Sequence, residues 1–472
     1  MQQLTVKHLN HLLLRAGFGA TPAQVSAMLQ TPVKDMVSQQ LAKAKTAKPI
    51  EIANREELLA DLDPAKLKSL DKDQKKEAFK EELQRSQKLN IEWMKRLLYS
   101  EDFLNEKMTL FWHDHFACKD KLAYLAQSLN NTIRKNALGS FRDLLLGVAM
   151  EPAMLRYLNN QQNKKESPNE NFARELMELF TLGRGNYTEA DVKEAARAFT
   201  GWNFNRSELT FFFNPKQHDF ESKTFLGVKD NLDGTNIIDI ILKQKQCARF
   251  ITAKIYQYFV NPVVDRAVLD ELADAFYNSK YDIGALMEKI FTADWFYGEK
   301  NIGVKIKSPV ELLGTLTRQL GVTYNNENAL LVGERLMGQI LFRPPNVAGW
   351  PEDKDWIDSS SLIFRMNLGK KIIDVSAIEQ SPKGDDDDNP NMTLAQGDGQ
   401  KAFASTIDWN AIANSFKQTD EDKLFDEMAG VLLQAGNLSY AQVKYKFSGT
   451  TKAEKVKAIA TYIVSTPEYQ LC

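Results

Sequence analysis

Cysteine is scarce: three in 472 residues, at Cys118, Cys247 and Cys472. The set is odd in number and contains no CxxC pair, which argues against a disulfide framework and a cysteine zinc site and for free thiols. Charge of one sign is lacking too. Sixty basic residues against 62 acidic ones leave a formal charge of -2, so no global field draws the chain to nucleic acid or anionic lipid. No apolar run approaches the roughly 18 residues that cross a bilayer, so no transmembrane segment is expected. The stretch Met1–His8 has neither the apolar core nor the cleavage site of a secretory signal. The cytoplasm is therefore the expected location, with export the alternative if this start is a processed form. Walker, Rossmann, GxSxG and HExxH patterns are all missing.

What is present is ordinary for a folded chain: 43 % hydrophobic and 26 % charged residues, at a length that suits two or three domains. Helical periodicity dominates, and the spacing predicts an all-α fold, a multi-helix array. A small β-hairpin or irregular aromatic insertion is expected near residues 203–230, with 209–213 the strand candidate. Thr21-Pro22 reads as a helix cap followed by proline in the first helical position. Residues 55–90, dense in Lys, Glu, Asp and Gln, suit a solvated helical hairpin or a mobile arm. A helix is expected over 171–183, stopped by Gly183, and another over 188–199, opened by the capping-box-like Thr188–Asp191. The expected division is a main helical domain over 1–375, a mobile acidic linker over 376–404 and a small C-terminal helical unit over 405–472. The four aspartates 385–388 in that linker lack the alternating ligands of a calcium loop.

With five histidines in the chain, their placement carries information. His8 and His11 suit packing on the first helix. His113 and His115 stand two apart in Phe111-Trp-His-Asp-His-Phe116. On a helix they diverge by about 200°; on an extended segment they share a face, the arrangement of an HxH metal pair. A second element is the stretch 169–180, in which Glu170, Asn171, Arg174, Glu175 and Glu178 fall on one arc of a helix. Its i, i+4, i+8 spacing allows an ion-pair ladder on an exposed face, or carboxylates held by an arginine if the face lines a cleft. The third is Gln217-His218-Asp219, whose histidine could join His113 and His115 around a divalent metal with Asp219 beside them. In that reading Glu175 or Glu178 is the general base and Arg174 orients the carboxylate. Asn159, Asn163, Glu170, Asn171, Trp202 and Trp350 are candidate substrate contacts, with Trp350 and Trp356 either stacking on a sugar ring or sealing the core.

Several motifs occur in order: His11-Leu-Leu-Leu-Arg-Ala-Gly-Phe-Gly19, Glu106 to Phe116, Pro168 to Trp202, His218 to Gly227, Lys307-Ser-Pro-Val310 and Pro344 to Trp356. Together they closely resemble the bacterial family catalogued as domain of unknown function 1800, over roughly Leu9 to Asn367. The resemblance implies a helical single-chain domain, often found in genomes that carry an exported companion of the numbered family 1501, and implies no established reaction. Its motifs coincide with the polar constellation. Three readings stay open: a hydrolase acting on a glycan or an ester, a non-catalytic binding or assembly module for a partner protein or polysaccharide, and a buried polar network that fixes helix packing. Convergence of the histidines and acids on one hollow separates them.

Overall fold

A computed structural model describes residues 4–61, 69–205, 207–375, 403–436, 443 and 447–472. The described residues are 60 % helical, and their strands form three two-stranded antiparallel pairs, so the expectation of a mainly-α fold holds. Local chemistry sets many of the boundaries. Thr21 accepts from the Gln24 N–H and Gln24 returns to the Thr21 N–H, with Pro22 in the first turn. Thr188 and Asp191 close the same reciprocal box. The charge-dense stretch forms helix Arg55–Asp61 and the first part of the 28-residue helix Lys72–Tyr99. That long helix is exposed over 72–80, then turns apolar and buries Leu89, Trp93, Met94 and Leu97.

The aromatic insertion is two hairpins. Trp202–Asn205 pairs with Thr210–Phe213, and Lys223–Phe225 pairs with Val228–Asp230. The acidic linker expected over 376–404 falls mostly on 376–402, outside the described residues. The C-terminal helices Trp409–Ser415, Leu424–Leu432 and Lys452–Val464 bury Ile412, Leu424 and Ile463 in the same cluster as Trp93, Leu312 and Leu368. No helix among the described residues is long and apolar enough to cross a membrane.

Two large apolar clusters meet at helix Phe103–His115, called the histidine helix below. Met108 and Trp112 belong to one cluster and Leu110 to the other, and every residue from Leu104 to His113 is buried. A helix surrounded on all sides must pair its charges. Arg134 does so for Glu106 at 2.7 Å, and Trp93 Nε1–H donates to the same carboxylate. Lys107 Nζ donates to Glu311 at 2.7 Å, and Lys305 Nζ to the same Glu311 oxygen at 2.9 Å. This part of the polar sequence is scaffold: ion pairs that hold the histidine helix in register.

Candidate functional site

The histidine helix runs to His115 and ends at Phe116, whose φ of -100° and ψ of 49° leave the helical region. In its last turn the polar side chains Asp114 and His115 reach open space. Asp114 and His115 are partly buried and line a cleft of about 310 Å³. The facing wall carries Glu178, Lys254, Tyr258 and Glu352.

A departure from regular helix shapes that wall. The helix expected over 171–183 is α only for Asn171–Glu175 and continues as a π-helix over Leu176–Thr181. The N–H groups of Leu182 and Gly183 both reach back to the Met177 carbonyl, at 2.9 and 3.0 Å. The wider turn leaves the Phe180 carbonyl to accept from His115 Nε2–H at 3.1 Å. A carbonyl only accepts, so Nε2 carries the proton and Nδ1 of the neutral ring is an acceptor. Burial pushes His115 down to about 3, against the pull of the Phe180 carbonyl, so the ring is neutral at physiological pH.

Asp114 is pushed the other way, up to about 7, because burial disfavours its charge more than the Trp350 N–H stabilises it. That N–H donates to Asp114 Oδ1 at 2.8 Å from a tight turn. Within the turn Asn346 Oδ1 accepts from the Ala348 N–H at 2.8 Å, and the Asn346 carbonyl accepts from the Gly349 N–H at 3.2 Å. Gly349 has a φ of +91°, and a Cβ there would stand 2.2 Å from Asp114 Oδ1. Glycine is required twice, for its dihedral and for its missing side chain. Gly349→Ala is expected to lose about 2–4 kcal/mol of stability, from the left-handed strain and the disturbed Trp350–Asp114 bond. Urea denaturation measures it; a loss below about 0.5 kcal/mol would mean the turn does not clamp Asp114.

A second cleft carboxyl, Glu178, is ionised. Arg184 Nε–H and the Tyr187 hydroxyl donate to Glu178 and hold it below the usual carboxylate range. Lys254 lies 3.5 Å from Glu352. The Tyr258 hydroxyl is buried without a hydrogen-bond partner, while Lys305 Nζ sits 4.1 Å above its ring. An unpartnered buried hydroxyl costs about 1–3 kcal/mol, which makes it a place to look for a ligand.

The predicted metal set does not assemble. Because the chain stays helical through His115, His113 and His115 point in divergent directions. His113 is buried, its Nε2 accepts from the Phe342 N–H at 3.1 Å, and its ring packs on Trp93 and Trp350. Burial pushes it down to about 3. His218 Nδ1 lies 2.7 Å from the Thr200 carbonyl, with the ring between Phe213 and Phe220. Among the described residues no group of three or more His, Cys, Asp or Glu is placed to hold a metal ion.

The ladder on the acidic helix forms only its first rung, Glu170 with Arg174. Arg174 turns to Glu170 at 3.0 Å and to Glu189 at 2.7 Å, and the π turn carries Glu178 out of line toward Arg184. Glu175 is raised by burial and by its neighbour Glu178. Asp219 is held by Arg197 at 2.7 Å and accepts from the Glu221 N–H, so it fixes a loop corner. Burial opposes its charge, yet these partners keep it below its ordinary value. The asparagines are joints of the backbone. Asn163 donates to the Ala196 carbonyl at 2.8 Å, Asn171 to the Leu158 carbonyl at 3.2 Å, and Asn159 sits in a left-handed turn at φ 57°. Trp202 and Trp350 are 3 % and 5 % exposed, too little to offer a face to a ligand.

Of the predicted residues, then, His115 and Glu178 share the cleft. Residues 11–471 match the family described as protein of unknown function (DUF1800). The chain belongs to this family. The DUF1800 match extends beyond Asn367 to the C-terminal helices, in keeping with the core they share with the rest of the chain. No curated protein and no solved structure matches the chain. Of the cleft residues of this DUF1800 chain that sequence reasoning passed over, Asp114 had a signal: an acid between two histidines in an otherwise apolar stretch. Lys254, Tyr258, Arg184 and Glu352 had none, since their meeting depends on tertiary folding.

Proposed function

We propose that the cleft is a hydrolytic active site for a polar substrate joined through oxygen, a glycoside in preference to an ester. The carrying observation is that Asp114 and Glu178 line one cavity with their proton affinities displaced in opposite directions. Two carboxyl groups so displaced divide naturally into acid and base. Asp114 gives its proton to the leaving oxygen as the carbon–oxygen bond breaks. Glu178 takes a proton from water as the water oxygen bonds to that carbon. Exchange with solvent then resets both groups. His115 Nδ1 supplies an acceptor for a substrate hydroxyl. A cavity of 310 Å³ is small for a ligand site and suits one ring-sized group.

The test is a panel of nitrophenyl glycosides and nitrophenyl acetate, assayed between pH 4 and 9. Turnover of a glycoside is expected to fall above about pH 7 as Asp114 loses its proton, and to fall in acid as Glu178 gains one. Glu178→Gln is expected to reduce kcat by about 10²–10⁴ with the circular dichroism spectrum unchanged. A rate that is level across neutral pH, or a Glu178→Gln enzyme of near-normal kcat, would refute the assignment.

A further inference from the structure

The first hairpin keeps one edge unpaired. The Asn214 N–H donates to the Gly201 carbonyl at 2.8 Å, which sets the phase of the ladder: Asn203 with Phe212 and Asn205 with Thr210 are the pairs that exchange bonds. The Trp202 carbonyl and the Phe204 N–H accordingly turn away from the ladder, to Asn160 Nδ2 and Asn203 Oδ1. On the other strand the N–H and C=O groups of Phe211 and Phe213 turn outward, and among the described residues nothing meets them. This edge is open to solvent. Phe212 and Phe213 are 45 % and 36 % exposed, and Phe220, 56 % exposed, lies across the His218 ring from Phe213.

An exposed edge is a template for another strand unless charge, proline or a bulge blunts it, and Thr210-Phe-Phe-Phe213 carries none of these. The strand is also its own complement. Laid antiparallel against a second copy about a two-fold axis at Phe212, each Phe211 meets the partner's Phe213, and their outward N–H and C=O groups bond in both directions. Phe212 then faces the partner's Phe212, an aromatic cross-strand pair. The flanks choose the direction and the occupant. Glu208 precedes the strand and Lys216 follows it, both exposed, at equal distance from Phe212 in sequence. Antiparallel pairing of two copies brings each Glu208 toward the partner's Lys216; parallel pairing brings like charges together. We propose that the chain forms a two-fold dimer through this edge, independently of what the cleft does. A seam of one four-residue strand per chain is small beside a standard interface, so a Kd on the order of 10–100 µM is expected.

Sedimentation velocity of the whole chain, from well below to well above that range, tests it. A reversible monomer–dimer equilibrium is expected. Phe212→Lys sets two ammonium groups against each other at the axis and should weaken the dimer about tenfold or more. Phe213→Pro removes an outward N–H that the chain itself does not use, and should weaken it as much. Glu208→Lys should weaken it about tenfold, and Glu208→Lys combined with Lys216→Glu should restore it, since the swap rebuilds both pairs with their signs exchanged. Both flanking residues are exposed, so that swap leaves the fold unchanged, and thermal melts of dilute, monomeric protein separate lost pairing from lost folding. A chain that stays monomeric throughout, a dimer that Phe212→Lys and Glu208→Lys leave intact, or a swap that fails to restore association would each overturn the proposal. A monomeric chain that instead binds an uncharged Thr/Val peptide along this edge would overturn it in favour of a foreign strand.

Discussion

Glu311→Ala is expected to cost about 3–5 kcal/mol, roughly a fifth or more of the stability of an ordinary domain. Glu311 Oε1 accepts from Lys107 Nζ and Lys305 Nζ, and Oε2 accepts from the Ser308 N–H at 2.7 Å, closing the capping box of helix Pro309–Leu320. The carboxylate is 2 % exposed, so its removal strands two buried ammonium groups and an N–H. Burial alone would raise the Glu311 carboxyl; Lys107 and Lys305 outweigh that and hold it well below its usual range. A depressed folded value adds stability that is present above the unfolded carboxylate value near 4.3 and lost as pH falls toward the folded one. The penalty of Glu311→Ala should therefore be full at neutral pH and shrink in acid. Urea midpoints at pH 7 and in acid measure this. Changing Lys107 and Lys305 to Met together with Glu311→Leu should recover most of the loss, because an apolar replacement of a whole buried cluster is often neutral. A cost under about 1 kcal/mol at pH 7 would show that the cluster is not dry.

Asp114→Asn is expected to remove activity and add stability. Activity should drop about 10²–10⁴ because an amide cannot give a proton to a leaving oxygen. The stability change follows from the opposite displacement. Asp114 sits at about 7 in the folded chain, against roughly 3.9 when unfolded. Between those values the folded state binds the proton more tightly, so its stability falls as pH rises through that window, and the penalty is complete above it. Asparagine keeps the oxygen that accepts from the Trp350 N–H and does not titrate. The variant should match the parent near pH 4 and exceed it by a few kcal/mol at pH 8. Guanidinium midpoints at the two pH values decide it, and an equal shift at both would show that the carboxyl is not buried against its charge.

Under the proposed function, such a group serves the reaction at the expense of the fold. Its surroundings support that view. The Tyr258 hydroxyl is unpartnered and the π turn at Leu176–Thr181 departs from regular helix, both on the same cleft.

How much of this was legible in the sequence varies with the range of the interaction. The caps at Thr21-Pro22 and Thr188–Asp191 were, because capping joins residues three apart and needs nothing else. So was the strand at Thr210–Phe213, from its run of aromatics. The π turn was not: Leu176–Thr181 has the periodicity of an α-helix, and the carbonyl that the wider turn frees, that of Phe180, is met by a residue from elsewhere in the chain, His115. Glu178 left the arc it was expected to share with Glu170 and Arg174 at that turn, while the Glu170–Arg174 pair formed. The histidine trio failed for another, since whether His113 and His115 share a face depends on where their helix stops.

The sequence by itself determined the helical class, the main caps and turns, and the family, because these rest on contacts between near neighbours or on motif order. Tertiary structure alone decided which acid keeps its proton near neutrality. Asp114 acquires its proton near neutrality only when Gly349 lets a turn from more than two hundred residues away close over it and exclude water. Desolvation is a property of the enclosing walls, and no stretch of chain carries it alone.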